Sequence, residues 1–220
     1  TTGKITPAAL TMIWPTYSDL TLTYGQKLSE LTASGAGSAA GVNGAVPGKF
    51  SWETGDELPD ATDASGKKFK LIFTPDSETD KSNYNPVGQE YTVVVNKATP
   101  VVTIPESVKT LPFGLPLSHI TENESVTAIN PHITGTDKEK AVAGTWVWLA
   151  GADTIPTQSG AQDVQFTPTD TKNYNLPDVN TVAVTLGKVE PDITIKPADK
   201  TSCLPGTPLK VEVTAANPHS

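Results

Sequence analysis

Apolar and polar residues alternate with a period of two in four stretches of this chain. Phe69, Leu71 and Phe73 share one face of the first, and Tyr91, Val93 and Val95 share one face of the second. The pattern returns in Val164 with Phe166, then in Val182, Val184 and Leu186. Alternation of this kind predicts half-buried antiparallel strands. Three shorter apolar runs, Leu10 to Trp14, Val101 to Ile104 and Ile193 to Ile195, stop at Pro15, Pro105 and Pro197. Proline cannot donate to a sheet ladder, so these read as short edge strands. Gly48-Lys49-Phe50-Ser51-Trp52 and Gly144-Thr145-Trp146-Val147-Trp148 each place two aromatics on one face of a further strand. One helical turn fits Gln26 to Leu31, and the glycines and serines from Ser34 to Gly44 stop a longer helix.

These elements recur in order, so the chain is an array of one module. Phe73-Thr74-Pro75 returns 93 residues later as Phe166-Thr167-Pro168, and Asn83-Tyr84-Asn85 returns 90 residues later as Asn173-Tyr174-Asn175. Tyr24-Gly25-Gln26-Lys27-Leu28 is echoed by Phe113-Gly114-Leu115-Pro116-Leu117 and by Pro205-Gly206-Thr207-Pro208-Leu209, where the glycine is expected to supply a backbone angle closed to other residues. Each module opens on Lys-x-x-Pro, at Lys4, Lys97 and Lys188. Val213 to His219 repeats Val126 to His132, after which the third copy stops short of its aromatic strand. The predicted division is repeat 1 over 1–96, repeat 2 over 97–187, and a truncated start of repeat 3 over 188–220. Strands run into the next Lys-x-x-Pro without a Gly/Ser linker, which predicts short, stiff junctions and an elongated array. Tyr84 and Tyr174 are expected to bury their rings in a structured corner.

Composition narrows the function classes. Among 220 residues there are 19 Pro, suited to turns and strand edges, and hydrophobic content is a modest 36%. The net charge of −8 argues against nucleic acid, whose phosphates need a basic footprint, and against direct docking on an anionic membrane. No apolar run reaches the ~18 residues of a membrane-spanning helix. The lone Cys203 makes no intrachain disulfide, so cysteine usage does not decide the compartment.

Taken in order, Lys-Ala-Thr-Pro, Tyr-Gly-Gln-Lys-Leu, Gly-x-Phe-x-Trp, Phe-Thr-Pro-Thr-Asp and Asn-Tyr-Asn resemble the bacterial immunoglobulin-like (MBG-type) repeats of fibrillar adhesins and other Gram-positive surface proteins. The resemblance covers two modules fully and the third in part. The second module departs from it at Phe113 and in a longer insertion before Gly144. The resemblance implies tandem Ig-like β-sandwich modules, an extracellular stalk or adhesion role, and no catalytic residues. The predicted class is all-β, with small β-grasp-like modules carrying a short helix at 26–31 as the alternative.

Catalytic and metal-binding patterns are sparse in this chain. His132 and His219 hold matching repeat positions, which favours a framework role, and His119 stands apart. Zinc needs three or four converging ligands, and Cys203 has no evident base. Asp76, Glu78 and Asp80 alternate and are calcium candidates, although Lys81 and Val87 occupy the sixth and twelfth positions where an EF-hand loop has Gly and Glu. The bland reading is a solvated acidic loop. Trp52 and Trp148 fit a core better than a sugar platform, because large aromatics supply most of a small core's burial. Exposed aromatics at Trp14 or Trp146 would instead mark a ligand surface. No cofactor and no catalytic residue is expected.

The expected function is therefore a non-enzymatic, extracellular, cell-surface stalk that spaces or presents an adhesive or catalytic tip, monomeric, with neighbouring repeats as its partners. One alternative is an adhesin whose modules bind a host or dietary glycan or protein. The other is an accessory domain of a secreted polysaccharide-degrading enzyme.

Overall fold

The computed structural model describes residues 6–104, 109–120, 127–197 and 211–219. Strands dominate it, and the class is all-β. The first repeat contributes β1 (Thr11–Ile13), β2 (Thr21–Thr23), β3 (Ser38–Gly41), β4 (Gly44–Ala45), β5 (Gly48–Trp52), β6 (Lys67–Pro75) and β7 (Val87–Asn96). The second contributes β8 (Val101–Thr103), β9 (Lys109–Pro112), β10 (Thr127–Ile129), β11 (Gly144–Trp148), β12 (Gly160–Pro168) and β13 (Asn180–Gly187). The third contributes β14 (Asp192–Pro197) and β15 (Val211–Ala216). Two short helices, α1 (Glu78–Asn83) and α2 (Asp137–Lys140), lie in connections. The span 26–31, helical in the β-grasp alternative, holds only a 3-10 turn over Leu28–Glu30.

Two sheets of the first repeat, ordered β1-β3-β4 and β2-β7-β6-β5, face each other across a core. Alternation along β6 and β7 sends Leu71, Phe73, Val93 and Val95 inward, each at most 1% exposed. Leu22, Leu28 and Trp52 complete one cluster, while Ala39 and Val46 meet Phe73 and Tyr84 in another. Trp14 and Phe50 pack against both, so the two clusters are continuous. Each side chain of this size contributes roughly 1.5–3 kcal/mol when fully buried.

The alternation predicts antiparallel partners, and β6 with β7 and β12 with β13 are antiparallel. One feature differs. The last strand of each repeat also takes a parallel partner from near its start: β2 beside β7 (Leu22 opposite Val95) and β9 beside β13 (Leu111 opposite Leu186). Both added strands are only three or four residues long, too short for a periodic signal.

The chain forms two compact units that cut across the sequence repeats. The first comprises 1–101, 128–143 and 168–176, and the second comprises 102–127, 144–167 and 177–220. The second unit holds the sheet β11-β12-β13-β9 around Leu111, Leu117, Val164, Val182 and Val184, with Trp146 and Trp148 packed on it. The boundaries predicted at 96/97 and 187/188 therefore differ from those of the compact units. The reason is that two pieces of the second repeat pack inside the first unit.

Candidate functional site at the repeat junction

The first unit contains the contact between repeats. Tyr24-Gly25 follows directly from β2, and Gly25 holds φ +107°, a left-handed conformation that favours glycine. The side chain of Asn130, fully buried, lies against this turn: its Nδ2 donates to the Tyr24 carbonyl at 2.9 Å. Its Oδ1 accepts from the His132 backbone N–H at 2.9 Å, closing an Asx turn. A Cβ on Gly25 would meet Asn130 Nδ2 at 2.7 Å, so glycine is required by space as well as by angle. Tyr24 and Tyr174 meet edge to face, ring centroids 5.2 Å apart. Burial pushes both phenols above their ordinary pKa; around Tyr24, Tyr174, Asp170 and Asp60 push the same way.

The Asn173 side chain reaches a loop of the first repeat. Its Oδ1 accepts from the Ala61 backbone N–H at 2.7 Å, and its Nδ2 donates to Asp60 Oδ1 at 3.1 Å and to Asp170 Oδ2 at 2.8 Å. Lys172 pairs with Asp60 on the exposed edge. The Lys172 hydrogen bond, and after it that of Asn173, holds the Asp60 carboxyl below its ordinary pKa. Between them, Asn130 and Asn173 bring every polar atom of two buried amides to a partner, the condition for burying such groups without a large penalty.

The second unit carries the same device one repeat on. Gly114 holds φ +93°, and a Cβ there would meet Asn217 Nδ2 at 2.1 Å. Asn217 Oδ1 accepts from the His219 backbone N–H at 3.0 Å, as Asn130 does from His132. The paired histidines thus mark a backbone turn, which agrees with the framework reading.

The Lys-x-x-Pro register is not the register of the fold. Ala8 bridges Tyr84 and Ala98 bridges Tyr174, so Pro7 and Lys97 stand at matching places. The Ala98 N–H donates to the Asn173 carbonyl at 3.0 Å, Asn175 N–H donates to the Ala98 carbonyl at 2.8 Å, and Lys97 Nζ donates to the Thr171 carbonyl at 2.7 Å. The repeat start is thereby stitched to its own Asn-Tyr-Asn corner.

The residues singled out from sequence fall elsewhere. Trp14 is half-buried, edge to face on Phe50 at 5.7 Å, and Trp146 is half-buried with its ring 4.9 Å from Phe166. Both flank the core rather than standing out as platforms. Trp52 is buried and Trp148 packs on the core of the second unit. Asp76 lies in the bend after β6, but Glu78 and Asp80 do not lie in a loop as expected: they belong to α1, which Ser77 caps by accepting from the Asp80 N–H at 2.9 Å. Glu78 pairs with Lys81 at 2.8 Å, Asp80 accepts from Ser77 Oγ at 2.7 Å, and helical spacing turns the two carboxylates apart. Among the described residues no group of three or more His, Cys, Asp or Glu is placed to hold a metal. No described helix is long and apolar enough to cross a membrane. Cys203 and the third aromatic-position turn at 205–209 lie outside the described residues.

A cleft of about 770 Å³ opens on the first repeat, with Tyr17, Phe50 and Trp52 in its wall and Glu53, Asp56 and Glu57 at its rim. Its size falls within the range of small-molecule sites. Glu53 and Asp56 face Lys70 and Lys27 at 3.7 and 3.9 Å, so much of the acidic charge is already balanced.

Asn130, Asn173 and Asp60 were missed as functional residues by sequence reasoning. The signal for the first was present in the recurrence of Ala-Ile-Asn-Pro-His as Ala-Ala-Asn-Pro-His, where the asparagine rather than the histidine carries the contact. The chain matches no protein-family model and no curated protein.

Proposed function

We propose that this chain is a non-enzymatic stalk segment of an extracellular bacterial surface protein, built of Ig-like β-sandwich repeats and spacing a functional tip from the cell. The observation that carries this reading is the docked junction: two aromatic-Gly turns each receive an asparagine of the following repeat, the buried Asn130 at Gly25 and the half-buried Asn217 at Gly114. A chain of independent beads has no use for such contacts, whereas a spacer needs each module to fix the direction of the next. The parallel pairing of β2 with β7 supports the same reading. Force entering before β2 and leaving after β7 loads their hydrogen bonds together in shear, and does not open them one by one.

The test is small-angle scattering on chains of two, three and four repeats. The maximum dimension is expected to rise by a constant increment per repeat and to lose that regularity in the Asn130→Ala, Asn173→Ala double variant. An increment that shrinks with each added repeat in the parent array would sink the spacer reading.

The cleft beside Tyr17 favours a second reading, in which the first repeat itself binds a glycan through aromatic edges and rim carboxylates. Saturable binding to immobilised glycans, mucin or matrix proteins, abolished by Tyr17→Ala and unchanged by calcium removal, is the outcome this reading requires.

A further inference from the structure

Strands β14 and β15 pair with Ile193 opposite Ala215, Ile195 opposite Val213 and Pro197 opposite Val211. Side chains two apart on a strand share a face, so Ile193, Ile195, Val211, Val213 and Ala215 line one side of this ribbon. Thr194, Lys196, Glu212 and Thr214 line the other. The apolar side is open: Ile193 is 63%, Ile195 64%, Val211 50% and Val213 58% exposed.

The register identifies what this side corresponds to. Ala39-Ala40-Gly41 matches Ala215-Ala216-Asn217 in the repeat. Met12 stands opposite Ala39 as Ile193 stands opposite Ala215, so Ile193 occupies the place of Met12 and Ile195 that of Trp14. In the first repeat those positions are not open. Ala39 is buried, and Met12 and Trp14 pack with Phe50, Phe73 and Tyr84 contributed by the facing sheet and its corner. The ribbon is one layer of a two-layer design, and an isolated two-stranded ribbon is marginal in water.

We propose that the apolar face of β14–β15 is a docking surface for one kind of partner, an antiparallel sheet of the repeat's own type. That sheet presents alternating aromatics in the Gly-x-Phe-x-Trp and Phe-x-Leu-x-Phe-Thr-Pro patterns of β5 and β6, and its rings fill the places that Phe50 and Phe73 fill against β1–β3. This inference rests on the register and exposure of the ribbon, and is independent of the stalk reading.

The test replaces residues 218–220 by a copy of residues 131–187, placed directly after Asn217, and follows amide exchange in β14–β15. The expected result is at least a tenfold slowing of exchange across both strands, loss of binding of an apolar fluorescent dye, and reversal of both by Ile195→Asp. A second extension guards against a copy that fails to fold: residues 41–96 placed after Ala216, with Ile193→Met and Ile195→Trp restoring the first repeat's own face. Unchanged exchange in both extended chains overturns the proposal. So does concentration-dependent protection of β14–β15 in the unextended chain, which would make a second copy of this ribbon the occupant.

Discussion

In the first repeat Tyr84 is buried while Asn83 is exposed; in the second, Tyr174 and Asn173 are both buried. The two corners share their inner half. Each tyrosine bridges the alanine at the repeat start, and the carbonyl of each preceding asparagine accepts that alanine's N–H, at 2.8 Å from Ala8 and 3.0 Å from Ala98. They differ in their outer half. The Asn173 side chain is spent on Asp60, Ala61 and Asp170, and Asn130 lies beside it on Tyr24. At the place of Asn130 the first repeat has Gly41, where a Cβ would meet the Tyr84 hydroxyl at 2.1 Å. One motif therefore combines two functions. Its tyrosine closes a repeat, in the second copy also meeting Tyr24 of the first, and its leading asparagine is free to join the repeat to a neighbour.

That division is open to direct attack. Tyr84→Ala and Tyr174→Ala each remove a buried ring and are expected to cost about 3 to 5 kcal/mol, as large-to-small aromatic changes do. Equilibrium urea unfolding followed by tryptophan fluorescence measures both. Near-neutral behaviour at either position would break the claim that the tyrosine serves the repeat itself.

The asparagines should separate where the tyrosines agree. Asn173→Ala strands the Ala61 N–H and is expected to cost about 1 to 3 kcal/mol, while Asn83→Ala, at an exposed site, should stay within about 0.5 kcal/mol. Amide exchange at Ala61 gives the local readout, faster in the first variant and unchanged in the second. Equal effects at 83 and 173 would erase the distinction between the corners.

The smallest effect is acidic. Asp60 has its pKa depressed in the folded chain, chiefly by the Lys172 hydrogen bond and next by that of Asn173. A depressed carboxyl contributes stability above its unfolded value, near 4, and that contribution is lost as pH falls through the lower folded value. With the Asp60 and Lys172 side chains 59% and 63% exposed, solvent screening limits the gain to tenths of a kcal/mol. The Asn173 side-chain amide resonance, followed by NMR from about pH 6 to about pH 2, should shift in this window and shift less in Asp60→Asn, where Asp170 is the one carboxylate left on that amide. A titration left undiminished by the substitution would remove Asp60 from the junction.

Several parts of this architecture were legible without coordinates. The strands β5, β6, β7, β11, β12 and β13 follow from period-two alternation, because a half-buried strand must send every second side chain into the core. Gly25 and Gly114 were recognisable from their fixed place after an aromatic, and both have the positive φ expected of them. The acidic stretch at Asp76 misled in the opposite direction. Its alternation looks like a ligand loop, but Ser77 offers a helix cap and the residues that follow form α1. Local capping outweighed the charge pattern.

The recurrence was visible in sequence alone, since similar short motifs return in the same order and carry the same alternation of apolar and polar positions. Where one copy ends energetically was decided only by the fold. Asn130 follows Ala128-Ile129 and precedes Pro131, Asn173 lies in a polar stretch, and nothing in either neighbourhood names the partner a buried amide needs. They are buried because partners about a hundred residues away, at Tyr24 and at Asp60 with Ala61, satisfy each amide. Hydrophobic burial is nearly additive along a strand and so can be read from a one-dimensional pattern; a buried hydrogen bond exists only when both ends arrive together, and only the tertiary structure brings them there.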